Sequence, residues 1–309
     1  MKIPSCKLFL RQLSAVVLLA ALVFTLIPAP EHQEAVAVID PWYFEDASPV
    51  QQAAGDVPSM TRSRYDVGSC RQLEGSPYVL FLFLDDDVSS WSEEGVLSYL
   101  DRLCMPALEY MEDYAHHYGA QLDFRYGYYA TYGHPDRPVK YNGVIDTFNE
   151  GTTSKDILDQ AARALGFDSK EHMHERLMDY SGQDQIAYVV MLNKGGRSYS
   201  HCYARGASRA ADSGAKDYML EYSVIYTGFT DTSYDSASDT VCHEMLHLFG
   251  AEDYYYPESR ENLARQVYPK DIMLCAMSDL QYFELGEFTA HCIGWVDEAP
   301  EICSNPGWW

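Results

Sequence analysis

The stretch HEMLHLFGAED, residues 243–253, carries two histidines and an acid at helical spacing. His243 and His247 are four residues apart, so on a helix both imidazoles leave the same face and can bind one metal ion. Glu244 lies about 100° round the helix from His243, within reach of a water at that ion but not a ligand of the ion. This stretch therefore predicts a helix that carries a hydrolytic metal site.

The predicted helix also has a core face and a defined end. Four apolar residues fall on the side opposite the histidines: Val241, Met245, Leu248 and Phe249. Gly250 follows them, and a glycine can take the left-handed conformation that reverses the chain. Asp253 then arrives where a third metal ligand is needed.

The pattern HExxHxxGxxD resembles that of the metzincin metallopeptidases, and its aspartate is similar to the snapalysin-type branch of that clan. The resemblance implies a zinc ion held by His243, His247 and Asp253. It also implies that Glu244 moves the protons while a metal-activated water hydrolyses a peptide bond. A protein or peptide is the expected substrate, and a zinc endopeptidase is the expected enzyme.

Metzincins also have a turn with a methionine below the metal. The segment DIMLCAMS, residues 271–278, offers Met273 as the first candidate and Met277 as the second. Several metzincins place a tyrosine two residues after that methionine, where this chain has Cys275. The resemblance covers roughly residues 77–296 as architecture, but only the 243–253 motif is highly specific.

Strand and helix patterns alternate along the chain. Apolar or β-prone runs occupy 77–86, 121–133, 185–194 and 220–229, and helical patterns occupy 90–115, 153–166, 168–180, 259–267 and 285–295. Pro106 is expected to kink the first of these helices. The order predicts an α/β (α+β) fold with a twisted mixed sheet, a long helix, the active-site helix and a small C-terminal subdomain with the Met-turn. Metzincin catalytic domains show a similar order.

The N-terminal region differs in composition from the rest. Lys2, Lys7 and Arg11 precede an uncharged run up to Pro30, which predicts that residues 1–30 are a signal peptide or a membrane anchor. Residues 31–76 have no sustained period and are interpreted as a linker or propeptide, followed by the catalytic domain at 77–309. The protein is therefore expected to be secreted or anchored to the outer face of the membrane.

Charge and composition narrow the function further. The 309 residues are 47% hydrophobic, enough for a sizeable core. With 22 basic and 46 acidic residues the net charge is -24, which repels nucleic acid and anionic membrane surfaces. Nucleic acid is therefore not an expected partner.

The cysteines predict disulfide bonds. Of the eight cysteines, Cys6 lies in the export segment, and the remaining seven favour three disulfides and one free thiol in an oxidising compartment. An inhibitory thiolate from Cys70 at the metal is an alternative role for one of them. Asp85, Asp86 and Asp87 form either a calcium site or, as favoured here, a solvated turn.

Three other interpretations of the motif remain open. In a gluzincin-type site the third ligand would be a glutamate on a following helix, and Glu258 or Glu261 could serve. The second is a non-catalytic, zinc-containing binding module, and the third is a purely structural interaction protein in which the whole motif is accidental. For a peptidase, the strand at 220–229 is the expected sheet edge on which a peptide substrate pairs.

Overall fold

A computed structural model describes residues 68–133, 138–146, 157–203, 219–228, 237–274 and 279–308. These residues contain a five-stranded sheet in the order β2-β1-β3-β5-β4. The strands are β1 (Tyr78–Phe83), β2 (Arg125–Ala130), β3 (Ile186–Gly195), β4 (Tyr199–His201) and β5 (Tyr222–Gly228). Because β1, β2, β3 and β5 run parallel and only β4 is antiparallel to its neighbour, the predicted mixed α/β fold is confirmed.

The central strand β1 explains the continuous apolar run in the sequence. Val79, Phe81 and Phe83 belong to the core cluster on one face of the sheet. Tyr78 and Leu80 belong to the cluster on the other face, together with Leu82. A strand buried on both faces needs an apolar side chain at every position, whereas a half-buried strand would alternate.

The long helix predicted at 90–115 is present as three consecutive segments. They are α1 (Glu93–Tyr99), a π-helical stretch (Leu100–Cys104) and α2 (Met105–Tyr118). Pro106 lies in the first turn of α2, directly after the π-helical stretch, where its missing N–H is tolerated. The helix begins at Glu93, three residues after the predicted start at 90, and Ser92 is its N-cap because its hydroxyl accepts from the Gly95 amide.

Further helices cover both faces of the sheet. They are α3 (Ile157–Ala164), α4 (Lys170–Ser181), α5 (Ser238–Leu248), α6 (Glu258–Val267) and α7 (Glu287–Cys292). Apolar residues of α3 and α4 enter one core cluster, and those of α2, α5 and α7 enter the other. The sheet is thus a middle layer between helices. Helix α5 packs against β5, the last of the parallel strands, and against β4.

His174, one of two histidines on α4, is buried. Its Nδ1 lies 2.8 Å from the hydroxyl of Tyr188 on β3. His172 is exposed, and its ring lies 3.7 Å from Asp168. His172 and His174, two residues apart on one helix, thus lie in different surroundings, and that of His174 is the core.

The edge of the sheet is β4 and not β5, which corrects the expected substrate edge at 220–229. Tyr199, Ser200 and His201 pair antiparallel with β5 and cover its outer side. The strand has only three residues with no apolar alternation, so it leaves no periodic signal in the sequence.

Residues 68–76, expected to be the end of the linker, are packed into the fold. The Ser69 amide donates to the Met219 carbonyl, and the Leu73 amide donates to the Ile293 carbonyl, both at 2.8 Å. Cys70 and Leu73 are fully buried. Residues 68–76 therefore pack against the region predicted to begin at 77. The expected export segment, residues 1–30, and the expected linker up to residue 67 lie outside the described part of the chain.

None of the six cysteines in the described ranges forms one of the three expected disulfides. All six are free thiols: Cys70, Cys104, Cys202, Cys242, Cys292 and Cys303. Four of these are buried among apolar side chains, where a thiol packs as a small hydrophobe. Cys70 does not approach the metal-ligand candidates, since its Sγ lies 3.3 Å from the Ile186 carbonyl. Burial raises the pKa of the Cys70 thiol, and the nearby Glu221 raises it further.

No helix in the described ranges is both long enough and apolar enough to cross a membrane.

Candidate metal centre

Helix α5 and the turn after it bring together His243, His247 and Asp253. Nitrogen and oxygen atoms of these three side chains lie within 4.8 Å of one another, and they form the one such cluster in the described residues. Gly250 has φ of 105° and reverses the chain, while the Ala251 amide donates to the Leu246 carbonyl at 3.1 Å. The predicted helix stop therefore places Asp253 opposite the histidines.

The apolar face predicted for α5 lies in the core, which fixes the direction of the histidines. Its members have no exposed surface: Val241, Met245, Leu248 and Phe249. Because this face packs against the sheet and α2, His243 and His247 must leave the opposite side. Their rings stand nearly perpendicular, at 89°, with centroids 4.9 Å apart.

Backbone carbonyls determine which nitrogen of each histidine is available. Nδ1 of His243 lies 2.9 Å from the Ile272 carbonyl, and Nδ1 of His247 lies 2.9 Å from the Ala251 carbonyl. A carbonyl only accepts, so Nδ1 must carry the proton in both rings. In the neutral imidazole, Nε2 then holds a free lone pair, as in histidines that bind a metal through Nε2.

Both Nε2 atoms face one carboxylate oxygen. Asp253 Oδ1 lies 3.3 Å from Nε2 of His243 and 3.2 Å from Nε2 of His247. This oxygen is buried and has no hydrogen-bond partner within the described residues. With both imidazoles neutral, these three electron-pair donors repel one another unless positive charge, a metal ion or a proton on one ring, lies among them.

The electrostatics of the cluster favour positive charge. Burial lowers the pKa of His247, but Asp253 and Glu244 outweigh burial and raise it to about 9. Burial also tends to raise the pKa of Asp253, but the two histidines hold it well below its usual value. The carboxylates thus stabilise positive charge at this point, either as a proton on His247 or as a metal ion in its place.

Glu244 is buried next to His243 and is connected to the edge strand. Its Oε2 accepts from the Ser200 hydroxyl at 2.7 Å. The hydroxyls of Ser200 and Ser223 lie 2.9 Å apart, and each also lies within 2.9 Å of the Glu244 carbonyl. No pattern in the sequence points to Ser200, because its contact with Glu244 depends on strand β4, which was not predicted.

A tight turn at 271–274 contacts the cluster, because the Ile272 carbonyl accepts from Nδ1 of His243. Asp271 is buried and accepts from the amides of Met273 and Gly286 at 2.8 and 2.7 Å, and from Tyr254. Met273 is fully buried, and its carbonyl accepts from the Tyr254 amide at 3.0 Å. The proposed Met-turn residue thus lies in the turn that carries the His243 acceptor. Cys275 and Met277 lie outside the described ranges.

Tyr255, two residues after Asp253, is a site residue that the sequence reasoning missed. Its side chain is 40% exposed. Burial of its hydroxyl raises the pKa of Tyr255, and the charge of Asp253, a hydrogen bond to it and the charge of Glu244 raise it further. A phenol that stays protonated beside the cluster can donate a hydrogen bond to a bound group.

The neighbouring acids have other roles. Glu252 is buried and pairs with Arg260 at 3.0 Å. Glu261 lies in the first turn of α6 and pairs with Arg265 at 2.6 Å, and Glu258 is exposed on the same turn. Neither Glu258 nor Glu261 joins the cluster, so the geometry favours Asp253 over a gluzincin-type third ligand.

The three aspartates after β1 do not converge on a common point. Asp85 accepts from the Trp91 amide at 2.8 Å, and Asp87 pairs with Lys140 at 2.9 Å. Asp86 accepts from Lys194 and from several amides, among them that of Ser89 at 2.8 Å. These carboxylates hold the turn together with protein donors, which is not the oxygen cage that calcium requires.

The donor set at the cluster fits zinc. Two imidazole nitrogens and one carboxylate oxygen are ligand types that zinc takes in catalytic sites, where a further position stays open. The converging lone pairs and the buried Asp253 Oδ1 meet the requirement for a cation independently of any sequence motif. Comparison of the chain with family models, with curated proteins and with solved structures found no match.

Proposed function

We propose that this protein is a zinc-dependent endopeptidase of metzincin type. The observation that carries the proposal is the convergence of His243 Nε2, His247 Nε2 and Asp253 Oδ1 on one point, close enough to Glu244 for its charge to act on His247. The motif alone makes two histidines neighbours on a helix. Two carbonyl-oriented rings and a buried, unpartnered oxygen add support of a different kind, because a surface helix has no need of them.

The side chains around the cluster divide into ligands and a proton carrier. His243, His247 and Asp253 would hold the zinc ion, and Glu244 is left free to move protons. When bound, zinc supplies a Lewis acid that acidifies water and polarises a peptide carbonyl. Glu244 takes the proton that the water loses as its oxygen bonds to the carbonyl carbon. The C–N bond then breaks, and Glu244 returns that proton to the departing amine nitrogen.

The edge strand β4 is the proposed docking site for the peptide. Its outer side has no paired strand among the described residues, and Ser200 in its centre contacts Glu244. A peptide that adds to this edge gains main-chain hydrogen bonds without any sequence requirement. The scissile bond is thereby brought to the residue that moves the protons. Tyr255 is proposed to donate its hydroxyl hydrogen to the carbonyl oxygen as negative charge develops there.

The expected compartment is also part of the proposal. Residues 1–30 have the composition of an export signal or anchor, and the net charge of -24 suits a soluble extracellular enzyme. We propose that the catalytic domain acts outside the cytoplasm, either released or tethered.

A zinc-containing binding module is the rival from another functional class. Such a module has no use for a buried acid beside the ligands, whereas Glu244 is buried and held by Ser200. The test is digestion of a fluorogenic peptide library by the secreted protein before and after zinc removal with a chelator. Loss of hydrolysis with the metal and its return on zinc addition support the peptidase. A zinc-loaded, processed protein that cleaves no peptide supports the binding module.

A further inference from the structure

Arg260 on α6 is a buried guanidinium that connects three separate parts of the chain. Its side chain is 7% exposed. Nε donates to the Trp308 carbonyl at 2.6 Å, and Nη1 donates to the Asp253 carbonyl at 3.1 Å. Nη1 also donates to Glu252 Oε2 at 3.0 Å. The fixed fork of a guanidinium can make all of these bonds at once, which a lysine cannot do.

Trp308 anchors the far end of this connection. Its side chain is fully buried, and the Arg260 guanidinium lies over its ring at 5.6 Å. The ring also meets Phe288 edge-on at 4.9 Å and Tyr254 at 5.3 Å. Tyr254 is the residue directly after Asp253, so the Trp308 side chain reaches the neighbour of the third ligand.

The third ligand depends on this contact more than the histidines do. His243 and His247 project from a regular helix that packs in the core. Asp253 lies beyond the Gly250 turn, in a segment without helix or strand. Its backbone is held from two sides, because its carbonyl accepts from Arg260 and the following amide, that of Tyr254, donates to the Met273 carbonyl.

We propose that Arg260 and residues 305–308, here called the 260–308 clasp, position Asp253 for metal binding. Arg260 contacts the backbone carbonyl of Asp253 but no metal-ligating side-chain atom and no reacting atom, so it is a positioning residue. The proposal rests on the proposed function in one respect, which is that Asp253 is a metal ligand. It adds that zinc affinity is set in part by a segment some fifty residues further along the chain.

The test measures metal affinity and metal geometry, and it needs no substrate. Arg260→Met keeps most of the aliphatic stem but removes the donors. Arg265→Met is the matched control, since Arg265 lies on the same helix, is exposed and bonds to Glu261. Zinc affinity is measured by competition with a chromophoric chelator, and the ligand geometry by the d–d absorption of the Co²⁺ form.

Arg260→Met is expected to bind zinc about 10–100-fold more weakly, the usual effect of losing a partner that orients a ligand. Its Co²⁺ spectrum should change, while that of Arg265→Met should match the wild type. Trp308→Ala should give the same changes, and combining it with Arg260→Met should add little, because the two residues act as one unit. If Arg260→Met does not fold, Arg260→Lys decides, since a lysine keeps the charge but not the fork.

The outcomes separate this inference from the proposed function. A wild type that binds zinc, with folded Arg260 and Trp308 variants of unchanged affinity and Co²⁺ spectrum, overturns the clasp and leaves the metal site intact. Variants that lose thermal stability but keep the wild-type spectrum also overturn it, because the residues then serve the fold alone. A wild type that binds no zinc at His243 and His247 refutes the proposed function together with the inference.

Discussion

The hydroxyl of Ser200 lies 2.7 Å from Oε2 of Glu244 and so joins the edge strand to the acid proposed to move protons. A hydroxyl both donates and accepts. It can donate to the ionised carboxylate and accept from the protonated one, with Ser223 and the Glu244 carbonyl as its other partners. Ser200 can therefore keep its hydrogen bond to Glu244 in both protonation states, and Glu244 is proposed to pass through both in each catalytic cycle.

Ser200→Ala is expected to lower kcat by roughly 10–100-fold, since a hydrogen bond to a charged group contributes about 1.5–3 kcal/mol. Zinc content should not change, because Ser200 is not in the ligand cluster. Steady-state kinetics at matched zinc content measure the effect. Ser200→Thr keeps the hydroxyl and should recover most of kcat. Equal kcat for the alanine variant and the wild type would show that Ser200 only supports the strand.

The identity of the third ligand is tested by zinc content. Asp253→Ala removes the buried Oδ1 that both histidines face, so zinc bound after dialysis should fall sharply. Glu258→Ala and Glu261→Ala are matched controls on exposed or surface-paired acids, and both should retain zinc. Metal analysis of the purified variants gives the answer. Retention by Asp253→Ala with loss in either glutamate variant would favour the gluzincin-type site.

Glu252 is unsuitable as a silent control in that experiment, although it adjoins Asp253 in sequence. Its carboxylate is buried and pairs with Arg260, which in turn donates to the Asp253 carbonyl. Glu252→Ala leaves a buried guanidinium with one partner fewer. We expect it to weaken zinc binding less than Asp253→Ala does, through displacement of the backbone and not through loss of a ligand.

The stability of the fold should depend on pH through His174. Burial lowers the pKa of His174 to about 4, compared with about 6.5 for an unfolded histidine. The folded-state pKa is the lower one, so the unfolded chain binds the proton first. The contribution of His174 to the free energy of unfolding is therefore fully present above a pH of about 6.5. It falls by about 1.4 kcal/mol per pH unit between pH of about 6.5 and pH of about 4.

The measurement is the free energy of unfolding against pH for the wild type, His174→Gln and His172→Gln. The contribution of His174 to the slope should disappear in the first variant and persist in the second, since His172 is exposed. Identical slopes for the wild type and His174→Gln would contradict the assigned burial effect.

The sequence was most informative where periodicity and composition act together. The alternation of strands and helices predicted the mixed α/β fold, because a continuous apolar run such as that of β1 is typical of a strand buried on both faces. The motif predicted that His243 and His247 lie on one face of a helix. Gly250 predicted that the chain reverses there, so that Asp253 approaches the two histidines. In each case a local physical rule determines the local structure.

Features that depend on distant contacts could not be predicted in the same way. Strand β4 has three residues, and Ser200 is significant only because β4 pairs with β5 beside Glu244. The disulfides were inferred from the expected compartment, whereas the burial of residues such as Cys104 and Cys242 depends on tertiary packing. Arg260 and Trp308 lie 48 residues apart, and no pattern in the sequence connects them.

Glu244→Gln tests the central claim most directly. The amide can still accept from Ser200, and the ligands are untouched, so fold, zinc stoichiometry and peptide binding should match the wild type. Without a group that takes and returns the proton, turnover should fall by about 10²–10⁴. The measurement is hydrolysis of a fluorogenic peptide library by both proteins at equal zinc content. Loss of turnover with retained zinc is the predicted result. Undiminished hydrolysis by Glu244→Gln would contradict the account.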